Sequence, residues 1–183
     1  MSACSLHWIN RISLSRVALA FVFLVCFRAD TGGLLTVSVT AAIVAQITDH
    51  LDGYLVRRFS APSVVGWVYD SFADRSFYVA ALLAFQREYD LDGLIVWAFV
   101  LRELALYAIR VVVGDFESLA PGFRKLALSH AAVTRIGIIQ GCLMPYMVSI
   151  ENGNSLVLFL SFIFATATLL GFFNLLLLIR NLR

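Results

Sequence analysis

Two pairs of aspartates carry the most chemistry in this chain. Asp49 and Asp52 are three residues apart, and Asp70 and Asp74 are four apart. Either spacing puts both carboxylates of a pair on one face of a helix. The stretch between the pairs holds Gly53, Pro62 and Gly66, so the chain can turn there and bring the pairs to face each other. Both glycines also allow a ligand or another backbone to come close. Four facing carboxylates repel one another, and Asp49 and Asp52 sit at the negative end of a helix dipole, the unfavourable end for an anion. A divalent cation removes both difficulties. Oxygen donors with no His or Cys among them suit Mg2+ or Mn2+. A solvated acidic collar would account for one pair, but not for two facing pairs flanked by glycines.

The elements that must position these residues are apolar. Of 183 residues, 61% are hydrophobic and 14% charged, and mean hydropathy is +0.87. A globular chain averages roughly 45–50% apolar and about 25% charged, so the composition excludes a free cytosolic enzyme and a disordered chain. A formal net charge of +2 is too small to make nucleic acid the main partner. Cys4, Cys26 and Cys142 have no short pairing spacing, which excludes a disulfide scaffold or a cysteine zinc site. Crossing a bilayer takes about 20 mostly apolar residues. Six stretches qualify, at about 12–28, 33–51, 68–86, 92–113, 127–149 and 156–179. The expected fold is all-α: an integral membrane protein of six transmembrane helices forming one domain over 1–183. The opening MSACSLHWINR is not a secretory signal and is expected as a short interfacial helix anchored by Trp8. Of the fourteen Lys and Arg, only Arg28 and Arg87 fall near the connectors of one side. The positive-inside rule therefore places both termini in the cytoplasm, with the four aspartates at that face.

The stretch from Asp49 to Asp74 resembles the signature of the CDP-alcohol phosphatidyltransferase family, D-x-x-D-G-x-x-A-R-x(8)-G-x-x-x-D-x-x-x-D. Every fixed position matches except one, where Val56 replaces Ala. Asn10-Arg-Ile-Ser13-Leu-Ser-Arg16 is similar to the N-x-L-T-x-x-R run that opens the family's first span. Arg102-Glu103-Leu-Ala-Leu-Tyr-Ala-Ile-Arg110 resembles the R-E-x(6)-R run of the phosphatidylglycerophosphate synthases. That branch's G-K-x-K-T-x-x-Q pattern is only partly kept: Lys125 holds its second basic position and Arg124 stands for the first, while the Thr and Gln are absent.

The resemblance implies an enzyme that joins CDP-diacylglycerol to an alcohol and releases CMP. It implies that Asp49, Asp52, Asp70 and Asp74 hold two Mg2+ or Mn2+ ions, and that Asp74 is also the general base for the acceptor hydroxyl. Gly53, Arg57 and Gly66 would line the CDP site. The branch resemblance implies glycerol 3-phosphate as acceptor, giving phosphatidylglycerophosphate. Arg110, Arg124, Lys125 and Arg135 form a cationic group suited to such a phosphorylated alcohol, because Arg donates bidentately to phosphate. Arg102 differs from these: it lies near the middle of its stretch beside Glu103, and a buried ion pair is its expected role. A homodimer in a bacterial inner membrane, with the active site facing the cytoplasm, is also implied. Synthases attaching inositol phosphate or making cardiolipin are alternatives within the family. A divalent-cation transporter is the alternative outside it, opposed by the absence of an inverted repeat and by the position of the carboxylates at one face.

Overall fold

The structure, a computed structural model, describes residues 3–59, 64–113, 123–147 and 153–181. They form six helices: α1 (Ala3–Cys26), α2 (Gly32–Phe59), α3 (Val64–Tyr89), α4 (Gly93–Val113), α5 (Phe123–Met147) and α6 (Gly153–Asn181), with no strand among the described residues. Pro62 and the side chains of Trp8, Gly53, Val56, Arg57, Arg110, Arg124 and Lys125 lie outside the description.

Over the described residues each expected apolar stretch coincides with a helix to within a few residues, but two boundaries differ instructively. The segment expected as a separate interfacial helix is continuous with the first stretch, so α1 is one helix from Ala3. Nothing between Trp8 and Ile12 breaks a helix, so the change from polar to apolar residues marks a change of environment rather than an end. α2 likewise continues past the apolar limit at Leu51 to Phe59. Gly53 costs this helix only about 1 kcal/mol relative to Ala.

By backbone packing the chain forms two compact units, Met1–Ala84 and Phe85–Arg183. In the first, α1 packs on α2 through stripes at helical spacing. On α1 the buried stripe is Ser13, Arg16, Ala20 and Phe23, and Phe27 just beyond the helix end continues it. On α2 it is Leu35, Ser38, Ala41, Ala45 and Asp52. The small residues Ser38, Ala41 and Ala45 let the two helices approach closely. Phe23 stacks on Phe27 at 5.1 Å between ring centroids and meets Phe77 of α3 at 5.5 Å. Each stripe is thus apolar at one end and polar at the other.

In the second unit, α6 packs against α4 and α5 around Phe85, Phe99, Phe164, Leu106 and Leu160. Phe164 meets Phe85 at 6.2 Å and, edge-on, Phe99 at 6.0 Å. The connector into α4 is capped on both sides. Asp90 adopts the left-handed conformation with φ 53°, and its N–H donates to the Gln86 carbonyl at 3.0 Å, closing α3. Asp92 Oδ1 accepts from the Leu94 N–H at 2.8 Å, opening α4.

Arg102 lies directly over Gly171 of α6. A Cβ at Gly171 would press on Arg102 Nε and sit 2.8 Å from its Cδ. The guanidinium is held by Glu103, so the side chain cannot swing clear. Gly171→Ala should therefore destabilise the protein by about 1–3 kcal/mol, the usual cost of overpacking, read as a lower unfolding midpoint in detergent.

Two helical segments, Gly32–Asp52 and Asn154–Leu177, are long and apolar enough to cross a membrane. Their outward faces are apolar: Ile43 and Ile47 on α2, and Leu158, Phe162, Leu169 and Leu176 on α6, are all exposed. Apolar surface on this scale needs a covering of lipid or protein.

Candidate metal and phosphate-transfer site

The four aspartates converge within the first unit, and they do so on Arg16. Arg16 Nη1 donates to Asp49 Oδ1 at 2.8 Å and also pairs with Asp74. Its Nη2 donates to Asp52 Oδ2 at 2.6 Å and also pairs with Asp70. Each terminal nitrogen therefore bridges one carboxylate of α2 and one of α3. Ser13, one turn before Arg16 on α1, donates to the same Asp52 oxygen at 2.8 Å.

Helical periodicity makes this arrangement possible. Asp49 and Asp52 continue the face of α2 that carries Ala41 and Ala45. Asp70 and Asp74 continue the face of α3 that carries Phe77. Ser13 and Arg16 continue the stripe of α1 that carries Ala20 and Phe23. The packing of the apolar ends sets the spacing of the polar ends, so the carboxylates are placed by Phe and Ala contacts further along the same helices.

Burial is graded across the site. The Arg16 side chain is 2% exposed and that of Asp52 is 6%; those of Asp49, Asp74 and Asp70 are 15%, 29% and 42% exposed. The cluster is closed beneath Asp52 and open beside Asp70 and Asp74, so a ligand reaches it from the α3 side.

Asp49, Asp70 and Asp74 each offer a carboxylate oxygen, and these three atoms lie within 4.8 Å of one another. They could hold a metal ion. Charge supports the fit: four carboxylates converge on the one guanidinium of Arg16 in a partly buried site. The donor atoms are all hard oxygens, as Mg2+ and Mn2+ require. Asp52 differs from the other three. It is the most buried and it accepts from both Ser13 and Arg16, which holds the floor of the site.

Other site residues from the sequence are placed by their helices. Gly53 and Arg57 continue α2 beyond Asp52, and Gly66 is half-buried in the first turn of α3. Arg110 lies on α4, and Arg124, Lys125 and a half-buried Arg135 on α5, all in the second unit. Arg102 and Glu103 form the expected buried ion pair, at 1% and 3% exposure. The sequence did not single out its third member: His130 of α5 brings Nε2 to 3.4 Å from Glu103 Oε1 and Nδ1 to 3.4 Å from Arg102 Nη1. Nor did spacing alone reveal the central position of Arg16. Its signals are its place at the end of the Asn10–Arg16 run and its position inside the apolar stretch that follows.

A family model described as CDP-alcohol phosphatidyltransferase matches residues 6–166, which is most of the chain. No curated protein and no solved structure matches it.

Proposed function

The chain belongs to the CDP-alcohol phosphatidyltransferase family, and on that premise we propose that it transfers a phosphatidyl group from CDP-diacylglycerol to glycerol 3-phosphate, making phosphatidylglycerophosphate and releasing CMP. The convergence of Asp49, Asp52, Asp70 and Asp74 in one cluster carries this reading. The family match runs through both compact units, which supports reading 1–183 as one functional domain.

The roles follow from the positions of the side chains. When bound, two divalent cations held by the four aspartates would neutralise the pyrophosphate and clamp an in-line displacement. Asp74, on the open side, takes the proton from the acceptor hydroxyl. The acceptor oxygen then bonds to the phosphorus that carries diacylglycerol. The bond from that phosphorus to the CMP oxygen breaks, and CMP leaves with the electron pair. Gly53, Arg57 and Gly66 flank the cluster along α2 and α3 and receive the CDP moiety, with Arg57 answering phosphate charge.

The apolar outward faces of α2 and α6 support a membrane setting, and we read all six helices as spans with both termini in the cytoplasm. A homodimer in a bacterial inner membrane accords with the family. The two acyl chains of the donor stay in lipid, while the head group reaches the carboxylates from the exposed side at Asp70.

The acceptor assignment rests on Arg110, Arg124, Lys125 and Arg135. Loss of one charge-assisted contact costs about 1.5–3 kcal/mol, or roughly tenfold to a hundredfold in affinity. Arg110→Ala should raise the apparent KM for glycerol 3-phosphate by that factor and leave that for CDP-diacylglycerol nearly unchanged. CMP release measured across a panel of alcohols checks both claims. Equal damage to both substrates would make Arg110 structural, and a preference for inositol phosphate or phosphatidylglycerol would replace the acceptor.

A further inference from the structure

We propose that Arg16 is the resident counter-cation of the carboxylate cluster, a tethered charge that holds the four aspartates in the metal-free protein and yields its place when a divalent ion binds. The inference rests on the metal-dependent reading of this site and adds a competitor to it.

Geometry carries the proposal. The guanidinium sits where the four carboxylates converge, and its two terminal nitrogens share them two and two. It makes the same α2-to-α3 bridges that an ion held by these carboxylates would make. A guanidinium and a divalent cation carry charge of one sign, so they repel at such separation, the more so where burial weakens screening. Arg16 Nε, also buried, has no hydrogen-bond partner among the described residues. The side chain thus grips the cluster only by its far end, through a flexible stem that can withdraw while the helix backbone stays in place.

The setting allows that withdrawal. α1 has anchors besides Arg16: Ser13 bonds Asp52, and Phe23 packs on Phe27 and Phe77. These contacts tie α1 to α2 and α3 independently of the guanidinium. The carboxylates beside the opening, Asp70 and Asp74, are the more exposed ones, so an incoming ion meets them first and draws them from Arg16. Asp52, shared with Ser13 at the closed end, is the last to be released.

Purified full-length protein in detergent should be titrated with Mn2+, with bound metal read by loss of the free-ion paramagnetic resonance signal. Arg16→Gln should bind Mn2+ at least tenfold more tightly than wild type, because the ion no longer displaces a cation. The same variant should lose more stability in EDTA than in saturating Mn2+, since the ion then supplies the missing charge. Unchanged or weaker Mn2+ binding in Arg16→Gln would overturn the proposal and make Arg16 a positioning residue or a structural one. Should Arg16→Gln fail to fold, wild-type protein labelled with 15N-arginine decides the matter. Mg2+ should shift the Arg16 side-chain resonance, assigned through Arg16→Lys; a resonance that stays fixed while Mg2+ binds refutes displacement. A wild type that binds neither ion overturns this inference and the metal-dependent reading together. Binding by wild type with no change in Arg16→Gln overturns the inference alone.

Discussion

Asp74→Asn should lower the rate of CMP release by about 10²–10⁴-fold, the usual contribution of a positioned general base, while the protein still binds CDP-diacylglycerol. The amide keeps an oxygen that can face a cation, but it cannot take a proton from the acceptor hydroxyl. Asp74 suits the role because its side chain is 29% exposed, open enough to meet an incoming alcohol. Asp49→Ala and Asp70→Ala should abolish turnover by another route, by removing oxygens from the metal-holding group. The two routes separate in one experiment. Equilibrium binding of CDP-diacylglycerol in the presence of Mg2+ should survive in Asp74→Asn and weaken in Asp49→Ala. Near-normal turnover in Asp74→Asn would move the base elsewhere.

Glu103→Ala should destabilise the fold by about 3–5 kcal/mol, the cost of leaving one partner of a buried ion pair uncompensated. Arg102 is 1% exposed and Glu103 3%, and Arg102 is walled in by Gly171 on α6. His130 cannot take over, because it meets Arg102 through a ring nitrogen at 3.4 Å and carries no negative charge. Removing both charges should be far milder, since a buried pair replaced by apolar side chains of similar volume is often neutral. Arg102→Met combined with Glu103→Leu should recover most of the loss. Unfolding midpoints of the single and double variants in one detergent provide the check. A double variant no better than Glu103→Ala would mean that the pair does more than neutralise itself.

The helices were legible in the sequence because apolar runs of the right length leave few alternatives. Their ends were less so, for a physical reason: hydropathy marks where a chain leaves an apolar setting, whereas a helix ends where its backbone is capped or broken. α2 illustrates this, running past Leu51 to Phe59 with its aspartates still on the helix. The four aspartates were legible because both pair spacings match the helical period and the signature around them is nearly complete. Arg16 was not. Its partners lie 33 to 58 residues away, and only packing of α1 on its neighbours brings them together. The caps of the α3–α4 connector were not legible either: Asp90 and Asp92 end one helix and begin the next.

The stripe on α1 that ends in Arg16 also bears on how the protein is made. Were α1 a span, as proposed above, an arginine at its centre would cost about 2.5–3.5 kcal/mol on an insertion scale, less near its ends. Arg16 emerges from the ribosome 33 residues ahead of Asp49 and 58 ahead of Asp74. At about 5–20 residues per second, its charge waits roughly 2–12 s for its partners. Throughout that interval the polar end of α1 lacks the counter-charge it has in the folded protein. α2 brings Asp49 and Asp52 and α3 brings Asp70 and Asp74, so the full set of counter-charges is present only once α3 has been made. The same carboxylates proposed to hold a cation would thus, during synthesis, be the late-arriving partners of a charge already made.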